Sequence, residues 1–211
     1  MNANGPVLDV LGAQCTVGHH RVFTELTFAV KAGERVQLAG PNGSGKTTVL
    51  RCIGGTMWLE RGRITVSGWA AGSKRARTLT GLCVNPEQGL HLQMSGHDNL
   101  MFAGRLRMPA AQVATAVAEV ERELNIEPFA TRTARHYSAG MRARVTVARA
   151  LLGRPALLLM DEPTRSLDDE GRELFWAALD RRPEAACLIA THLRDDRLRC
   201  DRTIPMTGPA R

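Results

Sequence analysis

The sequence predicts an α/β fold, and three observations lead to that prediction. Residues 35–39 have the pattern of a short strand and are followed by a glycine-rich stretch and then by a helical pattern. Residues 156–160 and 185–190 are unbroken apolar runs of strand length, as expected for parallel strands that are covered on both faces. Residues 96–153 are rich in alanine and carry helical periodicity. The chain therefore combines buried parallel strands with a helical middle third.

Other strands and one helix are predicted from the same kind of pattern. Residues 7–11, 26–30 and 63–68 alternate between apolar and polar side chains, which is typical of half-buried strands. Apolar side chains recur at helical spacing over residues 113–124, and Pro109 is predicted in the first turn of that helix.

Composition indicates a globular protein whose basic surface is not directed at nucleic acid. Of the 211 residues, 44% are hydrophobic and 23% are charged, which is ordinary for a chain that buries a core. The net charge is +7, but the basic residues are scattered along the chain instead of forming one run. We therefore expect no nucleic-acid partner.

Cysteine usage and hydropathy indicate a protein that works in a reducing compartment and does not itself cross a membrane. The cysteines are five in number and include no C-x-x-C pair, so we expect reduced, buried thiols instead of disulfides or a zinc site. No apolar run approaches the ~20 residues that span a bilayer. Any membrane function would need a second chain that crosses the bilayer.

A phosphate-binding motif follows the first predicted parallel strand. The pattern G-x-x-x-x-G-K-[ST] is matched at every fixed position. Backbone N–H groups of such a loop point at phosphate oxygens, Lys46 would reach the outer phosphates, and the Thr47 hydroxyl would bind Mg²⁺. The residues predicted to bind the nucleotide here are Gly40, Pro41, Asn42, Gly43, Ser44, Gly45, Lys46, Thr47 and Thr48.

Polar residues follow both of the unbroken apolar runs. Asp161 and Glu162 come after the first run, at the edge of a parallel sheet where nucleotide enzymes place a metal-binding acid. Asp161 is predicted to hold Mg²⁺, and Glu162 to polarise the attacking water as a general base. Thr191 and His192 come after the second run, and a histidine there can hydrogen-bond the γ-phosphate and the water.

Taken together, these motifs resemble the nucleotide-binding subunits of ABC transporters, and the resemblance covers nearly the whole chain. Its most specific part is the segment from Tyr137 to Met141, which is similar to the family's signature motif. There Ser138, Ala139 and Gly140 open a helix, so that backbone N–H groups and a hydroxyl face an anion. A simpler interpretation is that Ser138 only caps that helix.

The resemblance implies one ABC ATPase domain of the P-loop NTPase class over residues 1–211. Residues 1–95 and 154–211 would form the catalytic lobe, a mixed sheet core with an antiparallel β subdomain. Residues 96–153 would form the α-helical subdomain that carries the signature.

The resemblance also implies a mechanism and partners. ATP with Mg²⁺ would lie between the P-loop of one subunit and the signature of a second ATP-binding subunit, in a homodimer or with a paralogue. Catalysis would rest on Lys46, Glu162 and His192, and Asp168 would lie in the loop that senses the opposite site. The subunit would drive a separately encoded transmembrane permease, with export as the expected direction, at the cytoplasmic face of the membrane. Alternatives are a soluble ABC-type ATPase acting on nucleic acid or ribosomes, and a weakly hydrolysing regulatory subunit.

The sequence departs from the family pattern at three positions. Val17 takes the place of the aromatic residue that stacks on adenine, so that His19 or His20 would have to substitute for it. Glu87, or Gln88 after a shift of one residue, takes the place of the family's metal-contacting glutamine. Ala139 replaces the first glycine of the signature.

Overall fold

The chain folds into two β-sheets with helices packed against them. The computed structural model describes residues 5–86 and 89–206. One sheet is antiparallel with strand order β2-β1-β4-β5, and the other is parallel with strand order β6-β7-β8-β3-β9. In chain order the strands are β1 Leu8–Val17, β2 His20–Val30, β3 Arg35–Ala39, β4 Arg61–Val66, β5 Trp69–Ala70, β6 Thr80–Cys83, β7 Leu157–Asp161, β8 Ala186–Ala190 and β9 Arg202–Pro205.

The predicted α/β class is confirmed, and the structure refines the expected mixed sheet. All described pairings within the five-stranded sheet are parallel, while the antiparallel pairings are confined to the second sheet. The difference follows from β1, which is ten residues long and pairs antiparallel with β2 on one side and β4 on the other. These alternating strands therefore build a sheet of their own.

The two buried strands β7 and β8 divide the core into two halves. Every residue of both strands is buried, which explains why their sequences are apolar throughout. Successive side chains of a strand point to opposite faces. Leu157 and Leu159 accordingly pack with the antiparallel sheet, and Leu158 and Met160 pack with the helices of the middle third.

The described residues also form seven α-helices. They are α1 Lys46–Ile53, α2 Lys74–Leu79, α3 Gly96–Arg105, α4 Ala110–Glu123, α5 Ala139–Leu151, α6 Asp169–Asp180 and α7 Arg194–Leu198. Helix α4 presents Val113, Val117 and Val120 to the core, as their spacing predicts. Pro109 precedes α4 as its N-cap residue and not within its first turn.

Helix α4 of the middle third is joined to the segment between α6 and β8 by a buried ion pair. Arg182, just after α6, lies 2.9 Å from Glu123 at the end of α4, and both side chains are almost fully buried. The Arg182 guanidinium also donates to the backbone carbonyl of Ala178. Removing one partner of such a pair typically costs about 3–5 kcal/mol, because the other charge is left buried.

The parallel sheet brings the predicted functional segments to one edge. Strands β3, β7 and β8 are neighbours and run in the same direction, so the residues that follow them lie close together. Among the described residues, no helix has the length and apolar character needed to cross a membrane.

Candidate functional site

A cleft of about 1110 Å³ opens at the carboxyl edge of the parallel sheet. It collects residues from five separate parts of the chain, as a ligand site at a sheet edge does. The residues that line it are Val17, Val22, Asn42, Gly43, Gly45, Lys46, Thr47, Thr48, Asn85, Pro86, Asp161, Glu162, Arg165, Ser166, His192 and Leu193. The cleft thus brings most of the glycine-rich loop together with the acidic pair and the histidine.

Lys46 is held at the base of the loop by the loop's own backbone. Its side chain is 8% exposed, and its Nζ donates to the carbonyl oxygens of Gly40 at 2.7 Å and of Pro41 at 3.0 Å. Lys46 is the first residue of α1, where the helix macrodipole adds partial positive charge. The site therefore offers an anion both a fixed ammonium group and a helix N-terminus.

Two glycines of the loop, Gly40 and Gly45, are required because neighbouring atoms leave no room for a Cβ. Gly45 has φ +94°, and a Cβ there would meet Val22 Cγ1 at 2.6 Å. A Cβ on Gly40 would meet the backbone oxygen of Met206 at 2.5 Å. Ser44, within the loop, is buried, and its hydroxyl has no hydrogen-bond partner among the described residues. A buried hydroxyl without a partner next to the loop fits an oxyanion ligand.

Thr47 and Asp161 form the part of the cleft that suits a magnesium ion. The Thr47 hydroxyl donates to Asp161 Oδ2 at 2.6 Å, linking the first turn of α1 to the end of β7. Mg²⁺ binds through one or two protein oxygens, together with water and substrate phosphates. The two oxygen atoms present here fit that chemistry.

Glu162 adopts an unusual backbone conformation for its residue type. Its φ is +48°, in the left-handed region that non-glycine residues rarely occupy. The strain, of order 1–3 kcal/mol, is offset by the surrounding structure, and such outliers concentrate at functional sites. One compensating contact is the hydrogen bond from the Glu162 N–H to the Ala190 carbonyl at 2.8 Å.

The Glu162 carboxyl group lies beside His192. Its Oε1 is 3.6 Å from His192 Nε2. Burial raises the pKa of Glu162 and outweighs the lowering by the His192 side chain and backbone N–H. A carboxyl group with a raised pKa in a cleft is suited to proton transfer.

The signature residues lie outside this cleft. Ser138 is the N-cap of α5 and accepts a hydrogen bond from the Met141 N–H at 3.2 Å, so the capping role is present. Ser138 and Ala139 are exposed and Gly140 is half-buried, and none of the three lines the cleft. The helix N-terminus that they form therefore lies outside the cleft of its own chain.

Asp168 also lies apart from the cleft, at the start of α6. It caps that helix by accepting from the Gly171 N–H at 2.9 Å, and Arg144 of α5 lies 2.9 Å from its carboxylate. These two contacts, the Gly171 N–H first, lower the pKa of Asp168. Arg144 thereby ties the loop before α6 to the helix that carries the signature.

The outer wall of the cleft is aliphatic. Val17 is 47% exposed, Val22 is half-buried, and the two side chains lie on β1 and β2. His19 and His20, the candidates to replace the missing aromatic ring, are exposed and are not among the residues that line the cleft. The described part of the cleft wall at this end thus presents no aromatic ring.

The predicted metal-contacting position follows directly on a segment that lines the cleft. Glu87 and its alternative Gln88 both lie outside the described residues. Asn85 and Pro86, which precede them, line the cleft, so the chain reaches its rim immediately before this position.

Sequence reasoning missed several residues of the cleft. Val22 and Leu193 line it without belonging to any motif, and Arg165 and Ser166 line it although they were not predicted to bind the nucleotide. Only for Val22 does the sequence offer an indication: it precedes the buried Phe23 on β2, and alternation along a strand directs the two side chains to opposite faces.

A P-loop preceded by strand β3 of a parallel sheet, with an acidic pair at the end of β7 two strands away in the same sheet, defines the site of a nucleoside-triphosphate-binding protein. A model of the ABC transporter family matches residues 23–165. The chain therefore belongs to the ABC transporter family.

Individual relatives agree with this assignment. The chain is 35% identical over 207 residues to the Nod factor export ATP-binding protein I of Bradyrhizobium sp. (strain SNU001), covering 95% of this chain and 67% of that protein. It is 34% identical over 206 residues to the ABC transporter ATP-binding protein YdbJ of Bacillus subtilis (strain 168), covering 94% of this chain and 66% of that protein. The chain thus spans about two thirds of these relatives.

A solved structure shows the same fold. An ATP-binding subunit of an ABC transporter superposes with a TM-score of 0.88 at 26% identity, covering 95% of this chain and 86% of that one. These similarities confirm the predicted family, the fold and the ATP-binding, ATP-hydrolysing class of subunit.

Proposed function

We propose that this chain hydrolyses ATP with Mg²⁺ to drive export through a separate membrane permease. The observation that carries the proposal is the meeting of the P-loop, Asp161, Glu162 and His192 in one cleft. We call residues 42–48 with these three side chains the phosphate end of the cleft, and Val17 with Val22 the base end.

The residues of the phosphate end divide the chemistry among them. Lys46 exchanges its two backbone carbonyls for phosphate oxygens, and the loop N–H groups hold the remaining oxygens. A Glu162 carboxylate oxygen accepts a proton from the attacking water, and His192 orients that water towards the γ-phosphate. Thr47 and Asp161 would hold Mg²⁺, which neutralises charge on the phosphates.

Hydrolysis requires two chains in this proposal, because the signature does not reach the cleft of its own chain. Ser138 and Gly140 present an exposed helix N-terminus that suits the γ-phosphate of an ATP bound to a second subunit. Asp168 lies near the same surface, joined to the signature helix through Arg144. Two copies arranged head to tail would complete two sites.

The role in export rests on the relatives. Several of them are named Nod factor export ATP-binding proteins, which makes export the favoured direction of transport for this chain. The partner would be a transmembrane permease, and the subunit would lie at the cytoplasmic face of the membrane. A role on nucleic acid is less consistent with the scattered basic residues.

A mixing experiment tests the two-chain site. Ser138→Asp keeps a good helix cap but places a negative charge against the γ-phosphate, while Lys46→Ala disables the P-loop. Each variant alone should hydrolyse little ATP. A mixture should regain activity, because the Ser138→Asp chain supplies an intact P-loop and the Lys46→Ala chain an intact signature. A mixture no more active than its components would contradict the two-chain site.

The permease is tested by co-purification. The chain is co-expressed with the membrane proteins encoded beside it, and detergent-solubilised membranes are purified through a tag on the chain. We expect one permease to copurify and to raise the rate of ATP hydrolysis. Parent protein that hydrolyses no Mg²⁺-ATP, alone or with any such permease, would overturn the proposal.

A further inference from the structure

A buried aspartate joins the two segments that carry Glu162 and His192. Asp196 is 1% exposed and lies in the first turn of α7. Its Oδ2 accepts a hydrogen bond from the Thr164 hydroxyl at 2.5 Å and another from the Thr191 hydroxyl at 2.9 Å. Both threonines are themselves buried, at 0% and 2% exposure. One carboxylate oxygen therefore bridges two loops.

The positions of the two threonines give this bridge its significance. Thr164 follows Glu162 by two residues, and Thr191 immediately precedes His192. The Thr191 hydroxyl also accepts from the Leu193 N–H at 3.1 Å, so its own hydrogen is directed to Asp196. The bridge thus holds the chain on the C-terminal side of Glu162 and on both sides of His192.

A second contact holds the same two segments at the sheet edge. The Glu162 N–H donates to the Ala190 carbonyl, which fixes the strained backbone of Glu162 against the end of β8. Together with the Asp196 bridge, it holds this segment both at the Glu162 N–H and at Thr164, two residues further on. A glutamate with a positive φ persists only where the surrounding contacts are sufficient to hold its strained backbone in place.

We propose that Asp196 is a positioning residue, which sets the separation of Glu162 and His192 by holding Thr164 and Thr191. It is buried and is not among the residues that line the cleft, so it acts only through the loops that it joins. This inference rests on the proposed function, because the two held residues are the ones assigned to hydrolysis.

The test removes the hydroxyls one at a time. Asp196→Ala would leave two buried hydroxyls without a partner and endanger the fold, so the informative variants are Thr164→Val and Thr191→Val. Thr80→Val is the matched control: Thr80 is buried, its hydroxyl donates to the Ala76 carbonyl at 2.8 Å, and it lies at the start of β6. Thr191→Ser keeps the hydroxyl and serves as the conservative rescue.

We expect Thr164→Val and Thr191→Val to lower kcat roughly tenfold or more, since small displacements of catalytic groups have effects of that order or larger. The Kd for ATP should stay within about twofold of the parent, because the P-loop contacts are untouched. Thr80→Val and Thr191→Ser should keep kcat near the parent value. If Thr80→Val lowered kcat as much as these variants, or if the variants also lost ATP affinity in parallel, the role of Asp196 would be purely structural.

Hydrogen exchange separates this inference from the proposed function. In nucleotide-free full-length protein, the Glu162 amide should exchange faster in Thr164→Val and Thr191→Val than in the parent or in Thr80→Val. Unchanged exchange there would overturn the positioning role, whether or not the parent hydrolyses ATP. A parent without ATPase activity would instead count against the proposed function.

Discussion

The phosphate end of the cleft consists of polar groups in the glycine-rich loop, at the start of α1 and at the ends of β7 and β8, whereas the base end consists of two valine side chains on neighbouring strands. At the phosphate end, Lys46 is 8% exposed and donates to two carbonyls, and Asp161 accepts from Thr47. At the base end, Val17 is 47% exposed and offers neither a donor nor an acceptor.

The contrast between the polar phosphate end and the aliphatic base end indicates which contacts should supply binding energy and which groups should catalyse hydrolysis. Charge-assisted hydrogen bonds to fixed donors are the strong ones, and all of them lie at the phosphate end. An aliphatic wall contributes burial of a ring face but no directional recognition. Nucleotides should therefore be held by the groups that all nucleoside triphosphates share.

The largest expected effect is on hydrolysis, through Glu162. Glu162→Gln should lower kcat about a hundredfold or more, because general-base catalysis contributes ~10²–10⁴-fold. ATP affinity should persist, so that an ATP-bound dimer accumulates and is seen by gel filtration. Glu173→Gln, on the exposed surface of α6, is the matched control. A Glu162→Gln variant that hydrolyses ATP like the parent would show that the base lies elsewhere.

The next effect is on affinity, through Lys46. Lys46→Ala should weaken ATP binding roughly ten- to hundredfold, because hydrogen bonds to charged groups are worth about 1.5–3 kcal/mol. Lys74→Ala removes an exposed lysine on α2 and should leave affinity unchanged. Equilibrium titration with a fluorescent ATP analogue measures both. Equal affinities for parent and Lys46→Ala would contradict the assignment of the phosphate end.

Most of the phosphate end could be predicted from the sequence, because its chemistry is local. The glycine-rich loop, Lys46 and Thr47 occupy nine consecutive residues, and Asp161 and Glu162 follow directly on a strand. The strand β3 was predicted with the bounds that the structure gives it. Fixed backbone geometry demands fixed residue types here, so sequence patterns are informative.

The residues that the sequence did not predict act across the chain. Val22 reaches the cleft only because β2 folds back along β1, and its contact with Gly45 joins residues 23 positions apart. Asp196 accepts a hydrogen bond from Thr164, 32 residues away in the sequence, and no pattern in either segment predicts this contact. Long-range packing of this kind depends on how strands pair, which periodicity leaves open.

A smaller effect is expected from a substitution at the base end that tightens ATP binding. Val17→Tyr supplies a ring for stacking on adenine, which is typically worth ~1–3 kcal/mol. Since Val17 is 47% exposed, we expect a gain near the lower limit, or roughly fivefold tighter ATP binding. His19→Ala and His20→Ala should leave affinity unchanged, because neither histidine lines the cleft. Weaker binding in either histidine variant would instead identify that ring as the adenine contact.

The smallest effect is the discrimination between bases by the parent protein. Adenine and guanine differ in their hydrogen-bonding edges, and a site rejects the wrong one strongly only when its own polar groups are left unpaired. Val17 and Val22 carry no polar side-chain atoms, so ATP and GTP should bind within about threefold of each other, less than ~1 kcal/mol. Competition of unlabelled ATP and GTP against fluorescent ATP measures the ratio, with Val17→Tyr tested alongside. A preference for ATP beyond about tenfold would mean that a polar group recognises the adenine edge, and the contrast between the two ends of the cleft would no longer hold.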